Sequence, residues 1–257
     1  MAQGRYVWYE LMTTDKAAAK AFYTKVVGWG AQDAEMPGMT YTMMTAGDRP
    51  VAGMIDLPET VRKMNAPPSW MGYVGVADVD ATAAKAKSLG ATVHVPPTDI
   101  PNVGRFSVIA DPQGAAIALF KWSDPAADQP GTWMAPGTIG WHELLTSDWT
   151  KAIEFYSSLF GWKKEEAIDI GDMGKYQTFS AGDDHAIGGM FNKPPAIPAS
   201  FWLYYVSVGN IDAAAERLKS AGGQIMMGPM EVPGGAWVIQ ARDPQGAAFA
   251  LLGNKNS

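Results

Sequence analysis

The stretch WYELMTTDKAAAKAFYTKVVGW at 8–29 returns at 141–162 as WHELLTSDWTKAIEFYSSLFGW. The two copies share the skeleton W-x-E-L-x-T-x-D, followed by F-Y and then by G-W, and no insertion separates these parts. In each copy an apolar start leads to an Asp that can cap a helix, then to apolar residues at helical spacing, then to a glycine that can end the helix. The first copy therefore predicts a strand over about 6–12 and a helix over about 15–27.

Further repeated segments keep the same order in both halves of the chain. They are YTMMTAGD (41–48) and YQTFSAGD (176–183), YVGVADVDA (73–81) and YVSVGNIDA (205–213), and DPQGAA at 111–116 and 243–248. Repeats that recur in one order indicate a duplicated domain. We predict a first domain over 1–122, a linker over 123–137 that is rich in Pro, Gly, Ala and Asp, and a second domain over 138–257.

Within each half the strand and helix signals occur twice, so the sequence predicts four successive βαβββ units in an α+β protein. DPQG would close the last hairpin of each half, because Asp, Pro and Gly at the first, second and fourth positions suit a type I turn. We assign no chemistry to the aspartates of these turns.

The composition excludes several classes of function. The formal charge of −6 and the scattered basic residues do not suit binding to nucleic acid or to an anionic membrane. The absence of cysteine excludes disulfides, thiolate nucleophiles and cysteine-ligated metals. No stretch is apolar enough for a membrane span, and the first residues do not read as a signal peptide. We expect a cytoplasmic protein.

The motifs together resemble the vicinal oxygen chelate superfamily, which includes glyoxalase I, bleomycin-resistance proteins and extradiol dioxygenases. The resemblance is carried by the strand-D-x-F-Y-G-W opening, the V-x-D-V-D segment and the D-P-x-G hairpin, and it is closest to a subgroup of two-domain glyoxalase-like proteins. It implies two tandem domains, each with two βαβββ units that form a curved mixed sheet with helices outside. In that superfamily the curved sheet is a cup that holds a divalent metal and a substrate.

The resemblance also identifies the positions where the family's metal ligands would stand. In the two halves these positions hold Trp8 and Trp141, Tyr73 and Tyr205, Ala118 and Ala250, and, in a looser alignment, Asp56 and Asn192. Tryptophan and alanine cannot bind a metal, and neutral tyrosine is a poor ligand. We therefore predict no metal and no other cofactor, with zinc, nickel or iron at misaligned ligands as the alternative. The first six of these residues become predicted ligand-binding residues.

Strand alternation predicts which side chains share the cup with those residues. Every second residue of a strand lies on one face, so Glu10 follows Trp8 into the first cup and Glu143 follows Trp141 into the second. A carboxylate among aromatic groups can act as a general base or as a polar anchor. The alternative is that each Glu only fixes the local geometry. His142 falls on the opposite face, and we expect it between helix and sheet.

Three functions stay open at this point. The first is a small-molecule binder, or a lyase- or isomerase-type catalyst, with apolar metal-free cups and Glu10 and Glu143 as its catalytic residues. The second is a metal-dependent glyoxalase of the lactoylglutathione lyase type, or an extradiol dioxygenase or hydroxylase, with divergent ligands. The third is a structural or interaction protein. We expect a small-molecule partner and either a monomer with internal domain pairing or a homodimer.

Overall fold

A computed structural model describes residues 3–36, 38–63, 65–128 and 132–255. The chain forms four modules in succession, each with the order strand, helix and three strands, as the sequence predicted. A short helix, α2 (Glu59–Lys63), lies between the first two modules.

The bounds of the elements are as follows. Module 1 contains β1 (Tyr6–Thr13), α1 (Lys16–Val27), β2 (Gly30–Met36), β3 (Met39–Ala46) and β4 (Arg49–Asp56), and module 2 contains β5 (Ser69–Gly75), α3 (Val79–Ser88), β6 (Thr92–Ile100), β7 (Gly104–Ala110) and β8 (Ala116–Trp122). Module 3 contains β9 (Ile139–Thr146), α4 (Trp149–Phe160), β10 (Lys163–Asp169), β11 (Lys175–Ser180) and β12 (Gly188–Asn192), and module 4 contains β13 (Phe201–Asn210), α5 (Ile211–Ser220), β14 (Gln224–Glu231), β15 (Trp237–Arg242) and β16 (Ala248–Asn254).

Strands β1–β8 belong to one eight-stranded sheet and β9–β16 to a second. In every module the first strand pairs in parallel with the last one, and the intervening strands are antiparallel. The helix makes the crossover that a parallel pair requires. The sheets are therefore mixed, and the predicted α+β class with two tandem domains is confirmed.

The repeated opening forms the predicted strand and helix. The Asp15 side chain caps α1 by accepting a hydrogen bond from the Ala18 amide at 3.0 Å, and Asp148 caps α4 in the same way. Gly28 ends α1 with a φ of 89°, a left-handed conformation that favours glycine. The Asp and the Gly of the repeat thus mark the two ends of the helix.

DPQG forms a tight turn in both halves. The Gly114 amide donates to the Asp111 carbonyl at 2.9 Å, and the turn joins the antiparallel strands β7 and β8. The second copy has the same bond from Gly246 to Asp243, also at 2.9 Å. The turn and hairpin interpretation is confirmed.

Residue contacts divide the chain into two compact units that do not follow the two halves of the sequence. One unit combines most of modules 2 and 3 with the start of the chain up to Val7, and the other combines most of modules 1 and 4 with the segment that ends at Gly140. Each unit therefore draws on both copies of the duplication. The domain boundaries at 122 and 138 stay a prediction.

The turn aspartates join the modules inside each unit. In the unit of modules 1 and 4, the Tyr23 hydroxyl of α1 donates to Asp243 Oδ2 at 3.0 Å and accepts from the Trp70 indole at 2.9 Å. The Asp243 Oδ1 atom accepts from two backbone amides of its own turn. Burial raises the pKa of Asp243 above its usual value, although these hydrogen bonds act in the opposite direction.

The unit of modules 2 and 3 contains the same arrangement. There the Tyr156 hydroxyl of α4 donates to Asp111 Oδ2 at 3.0 Å and accepts from the Trp202 indole at 3.1 Å. Burial again raises the pKa of the aspartate. The Tyr of the F-Y motif and the Asp of DPQG are thus two ends of one buried contact between modules.

Candidate functional site

The front face of a module is the side of its strands that carries the predicted ligand positions. On β1 the front residues Trp8, Glu10 and Met12 are half-buried. The residues between and after them, which lie on the opposite face, are buried (Tyr9, Leu11 and Thr13). On β9 the alternate residues are buried too, and on the front face Glu143 is only 6% exposed. The predicted alternation is therefore confirmed on β1, whereas on β9 residues of both faces are buried.

Trp8 and Glu10 are joined by a tyrosine of β3, and β4 lies between β3 and β1 in the sheet. The Trp8 indole donates to the Tyr41 hydroxyl at 2.8 Å, and that hydroxyl donates to the Glu10 carboxylate. Burial raises the pKa of Tyr41 well above its usual range, and the Glu10 charge adds to the shift. Tyr41 is therefore a neutral hydroxyl that holds the tryptophan and the carboxylate together.

Module 3 repeats this cluster at the corresponding positions. The Trp141 indole donates to the Tyr176 hydroxyl at 2.8 Å, and that hydroxyl donates to Glu143 Oε2 at 3.1 Å. The Tyr176 ring also lies beside Phe191, with ring centroids 5.8 Å apart. We call the two sets, Trp8–Tyr41–Glu10 and Trp141–Tyr176–Glu143, the Trp–Tyr–Glu clusters.

Glycines on the last strands of modules 1 and 3 make room for the tyrosines. Gly53 is opposite Glu10 in the parallel register, and Gly189 is opposite Glu143. A Cβ atom added at Gly53 would overlap the Tyr41 hydroxyl, and one at Gly189 would overlap the Tyr176 ring. The repeated AGM and GGM segments therefore supply, beside each cluster, a glycine without a side chain that leaves space for the tyrosine.

The other predicted ligand-binding residues lie on modules 2 and 4. Tyr73 is in register with Ala118, and Tyr205 is in register with Ala250. All four residues are buried. Tyr205 accepts a hydrogen bond of 2.8 Å from the Gln240 amide. The structure thus pairs each tyrosine with its alanine, and ligand binding by these residues stays a prediction.

His142 is a core residue. It is 4% exposed, its ring stacks on Tyr6 with centroids 3.8 Å apart, and its Nδ1 lies 2.6 Å from the Ile187 carbonyl oxygen. Burial lowers the pKa of His142 to about 3, so the ring is neutral and its Nδ1–H donates to that carbonyl. Its burial agrees with the expected place on the face opposite Glu143.

The residues at the family's ligand positions do not fit a divalent metal. The two positions with side-chain oxygens in the loose alignment are engaged elsewhere, because Asp56 lies 3.0 Å from the Lys16 ammonium and Asn192 accepts from the Trp149 amide at 2.9 Å. Within the described ranges no three His, Asp or Glu side chains come together in a way that could hold a metal ion.

The sequence did not identify Tyr41, Tyr176, Gly53 or Gly189 as site residues. All four stand in the repeated segments quoted above or in the AGM and GGM triplets at 52–54 and 188–190. Their repetition was a usable signal. The sheet order that places β4 and then β3 beside β1, and β12 and then β11 beside β9, brings these residues to the cluster, and this order is not visible in a single sequence.

The chain matches the model of the Glyoxalase/Bleomycin resistance protein/Dioxygenase superfamily at residues 5–119 and again at 138–251. It belongs to this superfamily, as its motifs indicated, and it carries the family's domain twice.

Relatives match over nearly the whole chain. A protein of Mycobacterium bovis named "Putative glyoxylase CFP32" is 36% identical over 97% of this chain and 95% of its own length. The "Anthracycline biosynthesis protein DauV" of Streptomyces is 29% identical over 98% of this chain and 94% of its own length.

Solved structures share the fold at low sequence identity. The Mn(II)-bound glyoxalase of Novosphingobium aromaticivorans matches with a TM-score of 0.66 and 19% identity, over 99% of this chain and 83% of its own. The dioxygenase LapB of Pseudomonas matches with a TM-score of 0.66 and 13% identity, over 99% and 94%. In the part of the chain that the structure describes, no helix is long and apolar enough to cross a membrane.

Proposed function

We propose that the protein binds an aromatic small molecule at its Trp–Tyr–Glu clusters without the help of a metal. The observation that carries this proposal is the duplication of the cluster, with the same Trp–Tyr hydrogen bond of 2.8 Å in both halves. The Trp and the Glu of each cluster stand on the strand where the family places its first metal ligand, and the Tyr comes from β3 or β11. The glutamates of the clusters take the role of polar anchor or of general base.

The chemistry of the clusters suits a flat ligand with a polar substituent. The Trp and Tyr rings of both clusters are half-buried, so part of each ring can still be covered by a ligand. Stacking on such a ring contributes about 0.5–1.5 kcal/mol beyond the buried area. A glutamate carboxylate next to the rings accepts a hydrogen bond from a ligand hydroxyl, and bonds to charged groups contribute about 1.5–3 kcal/mol.

One relative supports an aromatic ligand. The name of the Streptomyces protein assigns it to anthracycline biosynthesis. Anthracyclines are fused-ring aromatic compounds with several oxygen substituents, which agrees with ring walls beside a carboxylate. For this chain we propose the same broad class, an oxygenated aromatic molecule.

A catalytic role would be proton transfer within the ligand. Glu10 or Glu143 takes a proton from an acidic O–H or C–H bond of the ligand, and the electron pair of that bond moves into the ring system or onto a carbonyl oxygen. The glutamate then returns the proton to another atom of the same ligand. This isomerisation balances without an oxidant, and the neutral Tyr hydroxyl keeps the carboxylate in position.

Calorimetric titration with three probes tests the proposal. Naphthol and naphthoquinone carry oxygen substituents, whereas naphthalene has the same rings alone. We expect Trp141→Leu and Trp8→Leu to weaken the binding of all three by roughly 2- to 13-fold. We expect Glu143→Gln and Glu10→Gln to weaken naphthol alone, by roughly 10-fold or more.

Two exposed residues provide matched controls. Trp133 is 47% exposed and Glu154 is exposed, so Trp133→Leu and Glu154→Gln should leave every affinity unchanged. Binding of all probes that survives the cluster variants, or that falls equally in the controls, would contradict the proposed site.

We also propose that the protein is a monomer. Each compact unit already combines modules from both copies of the duplication, so the pairing between copies is internal to one chain. Size-exclusion chromatography with light scattering should give the mass of one chain, 27.5 kDa. Twice that mass at micromolar concentration would contradict this.

A further inference from the structure

The front faces of modules 2 and 4 differ although the two modules are copies. Both carry the tyrosine–alanine pair, Tyr73 with Ala118 and Tyr205 with Ala250. Module 4 adds Gln240, which is in register with Ala250 and donates to the Tyr205 hydroxyl at 2.8 Å. At the corresponding place, in register with Ala118, module 2 has Val108, which cannot form such a bond.

A serine hydroxyl adds to this difference. Ser207 lies two residues after Tyr205 on β13, and therefore on the same face, about 7 Å further along the strand. Module 2 has Gly75 at that place. The Ser207 side chain is 2% exposed, and its hydroxyl has no hydrogen-bond partner among the described residues.

The serine is held in this position by its backbone. Its amide donates to the Thr138 carbonyl, and its carbonyl accepts from the Gly137 amide, each at 2.8 Å. A buried hydroxyl without a partner costs about 1–3 kcal/mol, and such groups are uncommon in folded proteins.

We infer that Ser207 recognises an oxygen substituent of the ligand, with the Gln240–Tyr205 pair as the polar neighbour that selects for it. This inference rests on the proposed function, that the chain binds an aromatic small molecule. The ligand oxygen belongs to a carbonyl or to a hydroxyl group, since a serine hydroxyl donates to either and accepts from the second. Module 2, with Val108 and Gly75, lacks this recognition.

Ser107 offers a matched control for the test. It is a buried serine like Ser207, with 0% exposure, but its hydroxyl donates to the Val95 carbonyl at 2.7 Å. The two Ser→Ala variants therefore each remove a buried hydroxyl. The Ser207 hydroxyl has no hydrogen-bond partner among the described residues, whereas the Ser107 hydroxyl has one.

The test compares wild type, Ser207→Ala and Ser107→Ala. For each protein it measures the affinity for naphthol, naphthoquinone and naphthalene, and the urea concentration at the midpoint of unfolding. We expect Ser207→Ala to weaken naphthol or naphthoquinone by roughly 2- to 10-fold, to leave naphthalene unchanged, and to keep or raise the midpoint. Ser107→Ala should lower the midpoint and leave all affinities unchanged. Gln240→Val should reduce the same preference for oxygenated probes.

The outcomes separate the two proposals. If wild type binds naphthalene and the oxygenated probes but Ser207→Ala alters none of the affinities, or alters all of them equally, the inference on Ser207 is wrong and the proposed function stands. A lowered midpoint with unchanged affinities would show that the hydroxyl is structural. If wild type binds none of the probes, the proposed function fails and the inference fails with it.

Discussion

Replacing Gly189 by alanine should disrupt the second Trp–Tyr–Glu cluster. The backbone of Gly189 does not have a positive φ, so alanine meets no conformational strain there. In a strand, the change by itself would stabilise the fold by about 0.4–1 kcal/mol. The new Cβ, however, would overlap the Tyr176 ring, and the ring must move away from Trp141 and Glu143.

The size of the effect follows from these contacts. Overpacking of a core costs about 1–3 kcal/mol, and the loss of the two hydrogen bonds of the Tyr176 hydroxyl costs about 1 kcal/mol more. After the gain of about 0.4–1 kcal/mol is subtracted, we expect Gly189→Ala to lower the free energy of unfolding by about 1–3.6 kcal/mol. Gly209→Ala is the control, because nothing lies within 4 Å of its added Cβ.

A double-mutant cycle measured by urea denaturation tests the cause. In a Tyr176→Ala background the ring is gone, so Gly189→Ala should cost little or even stabilise the protein. The coupling energy between the two sites should exceed about 1 kcal/mol. An equal cost in both backgrounds would refute the argument that the glycine is required by the tyrosine.

Three further predictions concern the buried polar groups. Tyr23→Phe and Tyr156→Phe each remove a hydrogen-bond donor from a buried aspartate, so each should lower the free energy of unfolding by about 1–3 kcal/mol in urea denaturation. An unchanged free energy of unfolding would contradict the stabilising role of these contacts between modules. The raised pKa of Asp243 means that this carboxyl binds a proton more readily in the folded state than in the unfolded chain. Its contribution to stability should therefore fall as pH rises from about 4 through the folded pKa. The free energy of unfolding of wild type relative to Asp243→Asn should be greater near pH 4 than near pH 7, and the opposite slope would refute this. The His142 ring should show no titration by NMR between about pH 5 and 8, because its pKa is about 3, whereas a midpoint near 6.5 would show that the ring is exposed.

Much of the fold could be predicted because the repeat constrains it. The Asp and Gly at the ends of the first helix, the alternation along β1 and the DPQG turns depend on neighbouring residues, and short-range rules describe them well. The compact units were not predictable in this way. The bond from Tyr23 to Asp243 spans 220 residues, and nothing local to either residue reveals which module packs against which.

The candidate site was predicted in part for the same reason. Alternation put Trp8 and Glu10 on one face, but the tyrosine that joins them comes from β3. Its ring fits only because β4 carries Gly53 there. Three strands must pair before the cluster exists, and strand register is a property of the folded sheet.

The most direct test of the account is the binding of naphthol to protein that has been treated with a chelator and dialysed. The Trp–Tyr–Glu clusters predict that wild type binds the probe with the same affinity before and after treatment, and that added manganese, zinc, nickel or iron does not change it. Loss of binding on chelation, restored by one of these metals, would contradict the central claim that the site works without a metal.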